Sequence, residues 1–266
     1  MKYKLISSDV DGTLLNNERV LSEENKLAVS KALSENIKFV LCSGRDTVAL
    51  CNLADELNLT GKGTYVISFN GAIIYDVDNK KVIYEKRLPK TNINNLIDII
   101  LKKFPDIIFT AFLEHNVIIT NRKEIKEYFS YLEILESSNN LDKDFIKISF
   151  ASENSEQLKE VEKFLLESKS NENYDLVYSH RAVLDVIPLG INKANALKKL
   201  INYINDITME EIVSVGDNYN DIEMVKESGY GIAVANSVED LKKVADYITK
   251  NDNNNNAIKE VIDKVI

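Results

Sequence analysis

The chain has 266 residues, 44% of them hydrophobic, and a formal net charge of −9. That is enough for one large domain or two modest ones with a buried core. The acidic balance, with no strongly basic stretch, argues against nucleic acid as a partner, and no apolar run reaches the length of a membrane span.

Two histidines, His115 and His180, lie far apart, which disfavours a histidine zinc site or a Ser-His-Asp triad. Cys42 and Cys51 are the only cysteines and give neither a metal spacing nor a disulfide framework. Lys2 and Lys4 precede only a short apolar stretch ending at Asp9, so no leader is expected. Two reduced thiols and no leader point to the cytoplasm.

In chain order, Lys4 to Ser7 reads as a buried strand. Ser22 suits a helix cap, with Leu27, Ala28, Ala32 and Leu33 on the inner face of the helix that follows. Phe39 to Cys42 is a second strand, Thr47 to Leu57 a helix and Tyr65 to Ser68 a third strand. Such alternation with short connections predicts a parallel sheet. Ile73 to Tyr75 and Val82 to Tyr84 flank Asp76-Val77-Asp78-Asn79, a hairpin turn despite its paired aspartates.

The pattern then changes. A helix carrying Leu96, Ile97, Ile100 and Phe104 precedes strands Ile107 to Leu113 and Val117 to Thr120, and Phe145 to Phe150 is another strand. A second amphipathic helix around Leu158, Val161 and Leu165 precedes strands Tyr174 to Tyr178 and Val183 to Ile187. Hairpin-linked strands favour an antiparallel sheet with helices on one face. After Gly190 the first pattern resumes, with helices at Lys193 to Tyr203, Asp221 to Ser228 and Val238 to Val244, and strands at Ile212 to Val215 and Gly231 to Val234. A polar asparagine loop, Asn251 to Asn256, leads to a last helix, Ala257 to Val265.

The chemistry gathers at strand ends. Asp9-Val10-Asp11-Gly12-Thr13 follows the first strand. Two carboxylates at this spacing suit a nucleophile that can form an acyl-phosphate, beside a proton donor and acceptor. Ser43, Gly44 and Arg45 follow the second strand. The hydroxyl and the open backbone N–H suit phosphoryl oxygens, while Arg45 suits either a substrate contact or a buttressing salt bridge. Asn70-Gly71 after the third strand is either a substrate contact or a turn. Gly190-Ile191-Asn192-Lys193 places a lysine at a helix start, and Gly216-Asp217-Asn218-Tyr219-Asn220-Asp221 follows the strand Ile212 to Val215. Open parallel sheets bind ligands at the C-terminal edge of their strands.

In this order, the four segments carrying Asp9, Ser43, Lys193 and Asp217 resemble the haloacid dehalogenase superfamily of phosphotransferases. Asn70-Gly71-Ala72, the late lysine and the long insert before it resemble its Cof-type sugar-phosphatase branch. The resemblance runs over nearly the whole chain. It implies an α/β protein with a Rossmann-like parallel-sheet core, residues 1–83 and 188–266, with helices on both faces. Residues 84–187 are expected to form an inserted α+β cap domain.

The resemblance also implies roles. Asp9 is the nucleophile and Asp11 the general acid and base. Lys193 and Asn220 bind the phosphoryl group with Ser43 and Gly44. Mg²⁺ is the expected cofactor, held by the Asp9 carboxylate, the Asp11 carbonyl and the Asp217 carboxylate, with Asp221 orienting the site from behind and Thr13 pinning the loop. Arg45, Asn70 and the polar hairpin residues Glu114, His115, His180 and Arg181 are the candidates for the rest of the substrate.

The expected activity is hydrolysis of a small phosphorylated metabolite, sugar phosphates foremost, by a monomer or small homo-oligomer. A phosphomutase or other phosphotransferase would use the same motifs. A non-catalytic phosphometabolite sensor is the alternative from another class.

Overall fold

The computed structural model describes residues 2–88, 90–135, 144–168, 174–180 and 182–266. Contacts divide the chain into two compact units, residues 1–84 with 192–266, and the inserted residues 85–191.

The first stretch runs β1 (Leu5–Ser8), α1 (Glu23–Ser34), β2 (Lys38–Cys42), α2 (Thr47–Glu56), β3 (Tyr65–Ser68), β4 (Ile73–Asp76) and β5 (Lys81–Glu85). The insert adds α3 (Lys90–Lys103), β6 (Ile108–Glu114), β7 (Val117–Thr120), α4 (Lys123–Tyr128), β8 (Glu133–Leu135), β9 (Lys147–Ala151), α5 (Ser155–Glu167), β10 (Tyr174–His180) and β11 (Val183–Pro188). The chain closes with α6 (Lys193–Ile204), β12 (Ile212–Gly216), α7 (Ile222–Glu227), β13 (Tyr230–Ala233), α8 (Glu239–Val244), β14 (Tyr247–Ile248) and α9 (Ala257–Val265).

The larger unit is built on a sheet of order β14-β13-β12-β1-β2-β3-β4-β5. Its strands are parallel from β14 to β3, and β4 turns back antiparallel on β3. Alternate residues serve opposite faces, as the pleat requires. Ile6, Phe39, Leu41, Val213 and Val215 pack with residues of α1, α2 and α9. Leu5, Val40, Cys42, Ile67 and Ile212 pack with Ala194, Leu197 and Leu200 of α6. Both faces are therefore apolar and covered by helices, the condition under which a parallel sheet is stable. This is the expected Rossmann-like core. Asp9, Ser43 and Asp217 each follow the last residue of a parallel strand, so the topology brings them to one edge.

The inserted unit has a sheet of order β10-β11-β9-β6-β7-β8. Its pairings are antiparallel except for β8 on β7. Leu96, Ile97 and Ile100 of α3 and Leu158, Val161 and Leu165 of α5 pack with Phe109, Ala111, Ile148, Phe150, Leu184 and Val186 on one face of the sheet. On the same strands, Asp185 accepts from Lys147 Nζ at 3.2 Å and from Ser149 Oγ at 2.6 Å.

Two local expectations change. Leu27 is 66% exposed, and α1 instead buries Ala28, Val29, Ala32 and Asn25. Asn25 displaces it because its amide bridges two chain segments, donating to Leu14 O and accepting from Lys259 N. Short elements α4, β8 and β14 appear where no periodicity announced them. The asparagine run is the expected loop before α9, held by hydrogen bonds: buried Asn253 donates to Leu15 O and to Asn17 Oδ1, both at 3.0 Å, while Asn256 takes a left-handed φ of 65° at the start of α9.

Candidate active site

Loops at the sheet edge and the start of α6 build the site. Asp9 leaves β1 with its N–H bonded to Val215 O of β12 at 2.9 Å. The chain turns at Gly12, φ 78°, where a Cβ would come 2.5 Å from Asp217 Oδ2. Only glycine supplies that turn and lets the Asp217 carboxylate so close. Thr13 Oγ1 then donates to Asp217 Oδ1 at 3.0 Å, tying the loop after β1 to the loop after β12.

Lys193 is the first residue of α6, whose start is capped by Asn192 Oδ1 accepting from Asn195 N at 2.7 Å. That cap fixes where the lysine enters. Its side chain is fully buried, and Nζ lies 2.5 Å from Asp9 Oδ1 and 2.6 Å from Asp221 Oδ1. The other oxygen of Asp221 accepts from the Asp217 and Asn218 amides, each at 3.1 Å.

Burial disfavours the Lys193 ammonium, but Asp221 and Asp9 outweigh it and hold its pKa above the usual lysine range. Burial raises the Asp9 carboxyl well above the usual carboxylate range. Lys193 pulls the other way, and Asp221 and Asp217 add to the rise. Burial and the neighbouring Asp221 push Asp217 up to about 6, against the Thr13 hydrogen bond.

The acidic cluster suits a hard cation. One carboxylate oxygen from each of Asp9, Asp217 and Asp221 lies within 4.8 Å of the others. Three carboxylates against the single Lys193 ammonium leave excess negative charge in a buried place, and the donors are all oxygen, as Mg²⁺ prefers. The residues present fit that ion.

A calorimetric or thermal-shift measurement tests this without turnover. The Asp217 carboxyl titrates above its ordinary 3.8, at about 6. In metal-free protein the folded state therefore holds that proton after the unfolded chain has lost it, so this group lowers stability as pH rises through that window. A bound cation reverses the penalty. At about pH 7.5, Mg²⁺ at a hundredfold excess over its Kd should add about 2.7 kcal/mol, or roughly 5–10 °C in Tm. The gain should fade as pH drops through about 6, where Asp217 takes up its proton. A gain that is absent at neutral pH, or unchanged between pH 5 and 8, would contradict a cation held on these carboxylates.

Asp11 faces elsewhere. Both of its carboxylate oxygens accept from Arg45, Nε at 2.7 Å and Nη2 at 2.6 Å. Of the two readings of Arg45, the structure contains the salt bridge. Ser43 is buried, and its Oγ accepts from Arg45 N at 3.3 Å. Asn220 Nδ2 donates to Asn70 Oδ1 at 3.1 Å, and Asn70 N bonds back to Ser43 O at 3.0 Å. Asn70 thus joins the loops carrying Ser43 and Asn220.

Two contacts escaped the sequence. Asn236 Nδ2 donates to Gly12 O at 2.8 Å, and Ser237 Oγ to Gly216 O at 3.1 Å. Both anchor backbone carbonyls of the site loops from the segment after β13. A hydrogen bond to a carbonyl carries no side-chain pattern, so no spacing could announce it.

The remaining candidates belong to the inserted unit. Glu114 is exposed at the end of β6, His115 is half-buried in the following turn, and His180 ends β10. The His180 side chain and all of Arg181 lie outside the described residues. Among the described residues, no helix is long and apolar enough to cross a membrane.

Residues 6–262 match the family model described as haloacid dehalogenase-like hydrolase. The chain is 33% identical over 246 residues to the 5-amino-6-(5-phospho-D-ribitylamino)uracil phosphatase YcsE of Bacillus subtilis, covering 92% of this chain and 89% of that one. It is 30% identical over 261 residues to the putative phosphatase YxeH of the same organism, covering 94% of each. A solved haloacid dehalogenase-like hydrolase from Bacteroides thetaiotaomicron superposes with a TM-score of 0.88 at 29% identity, over 99% of this chain and 100% of that one.

Proposed function

This chain belongs to the haloacid dehalogenase-like hydrolases, and from that premise we propose that it is a Mg²⁺-dependent phosphatase of small phosphorylated metabolites, sugar phosphates foremost, working through an aspartyl-phosphate on Asp9. The observation that carries this reading is the buried Lys193 bridging Asp9 and Asp221 beside Asp217. A carboxylate kept out of water, sharing an ammonium with Asp221 and with room for a cation beside it, is placed to act as a nucleophile. A merely structural ion pair has no use for the third carboxylate.

In the first half-reaction a carboxylate oxygen of Asp9 attacks phosphorus. The bond from phosphorus to the substrate alcohol breaks, and the leaving oxygen takes a proton from Asp11. In the second, Asp11 accepts a proton from water as the water oxygen attacks the acyl-phosphate. The Asp9–phosphorus bond breaks, and inorganic phosphate leaves. Lys193 offsets charge on Asp9 throughout. Ser43, the Gly44 N–H and Asn220 hold the phosphoryl oxygens. Mg²⁺, when held by Asp9, Asp217 and the Asp11 carbonyl, supplies the positive charge that lets a carboxylate approach a phosphate dianion.

The Asp11–Arg45 pair must open for Asp11 to act. A protonated acid donor cannot keep both oxygens on a guanidinium. A bound phosphoryl group offers Arg45 a replacement anion, so opening the pair and binding substrate fit together. Replacing Asp11 by Asn should then lower kcat/KM for sugar-alcohol esters by about 10²–10⁴-fold and for nitrophenyl phosphate far less, because kcat/KM reports the first half-reaction and a good leaving group needs no proton there. An equal loss of kcat/KM on both substrates would mean that Asp11 only shapes the loop.

The name of YcsE describes a phosphate ester at the end of a ribityl chain. That similarity favours phosphorylated sugar alcohols and open-chain sugars within the proposed class. The inserted unit is the proposed source of discrimination, through Glu114, His115, His180 and Arg181, because the phosphoryl chemistry is common to all monoesters. A panel of phosphate monoesters, followed by inorganic phosphate release with wild type and with alanine at these positions, tests both points. Phosphate appearing on an added alcohol instead of free in solution would favour the phosphotransferase reading.

A further inference from the structure

Asn70 combines two features. Phe69, Asn70 and Gly71 follow one another with φ of 51°, 58° and 105°. Two successive non-glycine residues in the left-handed region, one of them an aromatic, form a strained bend. Hydrogen bonds from Phe69 N to Arg45 O and from Asn70 N to Ser43 O, each 3.0 Å, hold it in place. The bend lays the Asn70 carboxamide over Gly44, where a Cβ would lie 3.1 Å from Oδ1 and 3.3 Å from Nδ2.

The second feature is the amide itself. Its Oδ1 accepts from Asn220 at 3.1 Å. Its Nδ2 is, among the described residues, the one buried side-chain nitrogen or oxygen without a hydrogen-bond partner. Asn70 is 2% exposed, so bulk solvent does not reach it. A buried donor left unmade is unfavourable, and proteins rarely keep one. Here it is kept at a strained position, between the two loops expected to hold a phosphate.

We propose that Asn70 is a phosphoryl-binding residue. On a small turn of the carboxamide its Nδ2–H donates to a phosphoryl oxygen, and its Oδ1 holds Asn220 so that both donors meet the same group. The acceptor is the phosphoryl group and not the organic part of the substrate, because the neighbours are Ser43, Gly44 and Asn220. This rests on the phosphatase reading of the site. It makes Asn70 indifferent to substrate identity.

Inorganic phosphate, as a competitive inhibitor, is the probe. Asn70→Gly tolerates the positive φ and removes the donor. Asn70→Asp keeps the backbone preference and an acceptor for Asn220, and replaces the donor by a carboxylate oxygen. Both should raise the Ki for phosphate by about tenfold or more, with N70D the worse, and kcat/KM should fall by a similar factor for every monoester. In an Asn220→Ala background, N70G should still weaken phosphate, since the Nδ2 contact is independent of the hold on Asn220. An unchanged phosphate Ki in N70G, no further loss in the double variant, or a loss confined to some monoesters would each overturn the proposal. If wild type released phosphate from no monoester, the phosphatase reading would fail. Calorimetric binding of inorganic phosphate to wild type and N70G would then still decide the role of Asn70, equal affinity overturning it and weaker binding to N70G supporting it.

Discussion

Asp9→Asn should abolish turnover, by on the order of 10⁴-fold or more, while the protein stays folded. An amide oxygen does not attack phosphorus, and no other residue replaces the nucleophile. The expected stability change has the opposite sign to the usual loss of a buried charge. Burial and the neighbouring Asp221 and Asp217 hold the Asp9 carboxyl well above its ordinary range, so the ionised group is a liability in metal-free protein at neutral pH. An isosteric neutral side chain removes it, and Asp221 still pairs with Lys193 at 2.6 Å. The metal-free variant should therefore melt no lower than wild type at about pH 7.5. Phosphate release at near wild-type kcat would eliminate the covalent mechanism. A much lower Tm would show that the Asp9 charge holds the fold.

Lys193→Met should lose stability as well as activity. The ammonium is fully buried between two carboxylates, and removing one partner of such a group leaves uncompensated charge in a dry place. The loss should be about 3–5 kcal/mol, or roughly 6–20 °C in Tm. The deficit should be larger at pH 8 than at pH 5, since protonating the stranded carboxyls relieves it. Denaturant or thermal unfolding at the two pH values measures this directly. Equal Tm for variant and wild type at pH 8 would mean that Lys193 is not the counter-charge of the cluster.

Asp9, Ser43, Lys193 and Asp217 were legible because each sits at an element boundary that hydrophobic patterning marks by itself: three follow an apolar strand and one opens an amphipathic helix. The doubly wound core was legible for the same reason. Arg45 stayed double-valued because its partner, Asp11, is 34 residues away. Leu27 was misplaced because hydrophobicity alone chose the inner face of α1, while the fold buries Asn25 there for its hydrogen bonds. Asn236 and Ser237 act on backbone carbonyls, and α4, β8 and β14 are too short to show a period. Asn70 was read as a contact or a turn. Its orphaned donor and paired left-handed residues exist only in three dimensions.

The position of β1 has a consequence for how the chain is made. One neighbour, β2, follows within 40 residues, but the other is β12, pairing Leu5 with Ile212. At the pace of synthesis, the roughly 200 intervening residues take on the order of 10–40 s to emerge. Through that interval a fully buried strand has one naked edge, and its aspartate has no lysine. The insert has its own core and can collapse first. The larger unit must close last, by a contact of very high sequence separation. The nascent chain is thus both inert and sticky until its final quarter arrives, and a truncation before α6 should yield aggregate instead of a smaller enzyme.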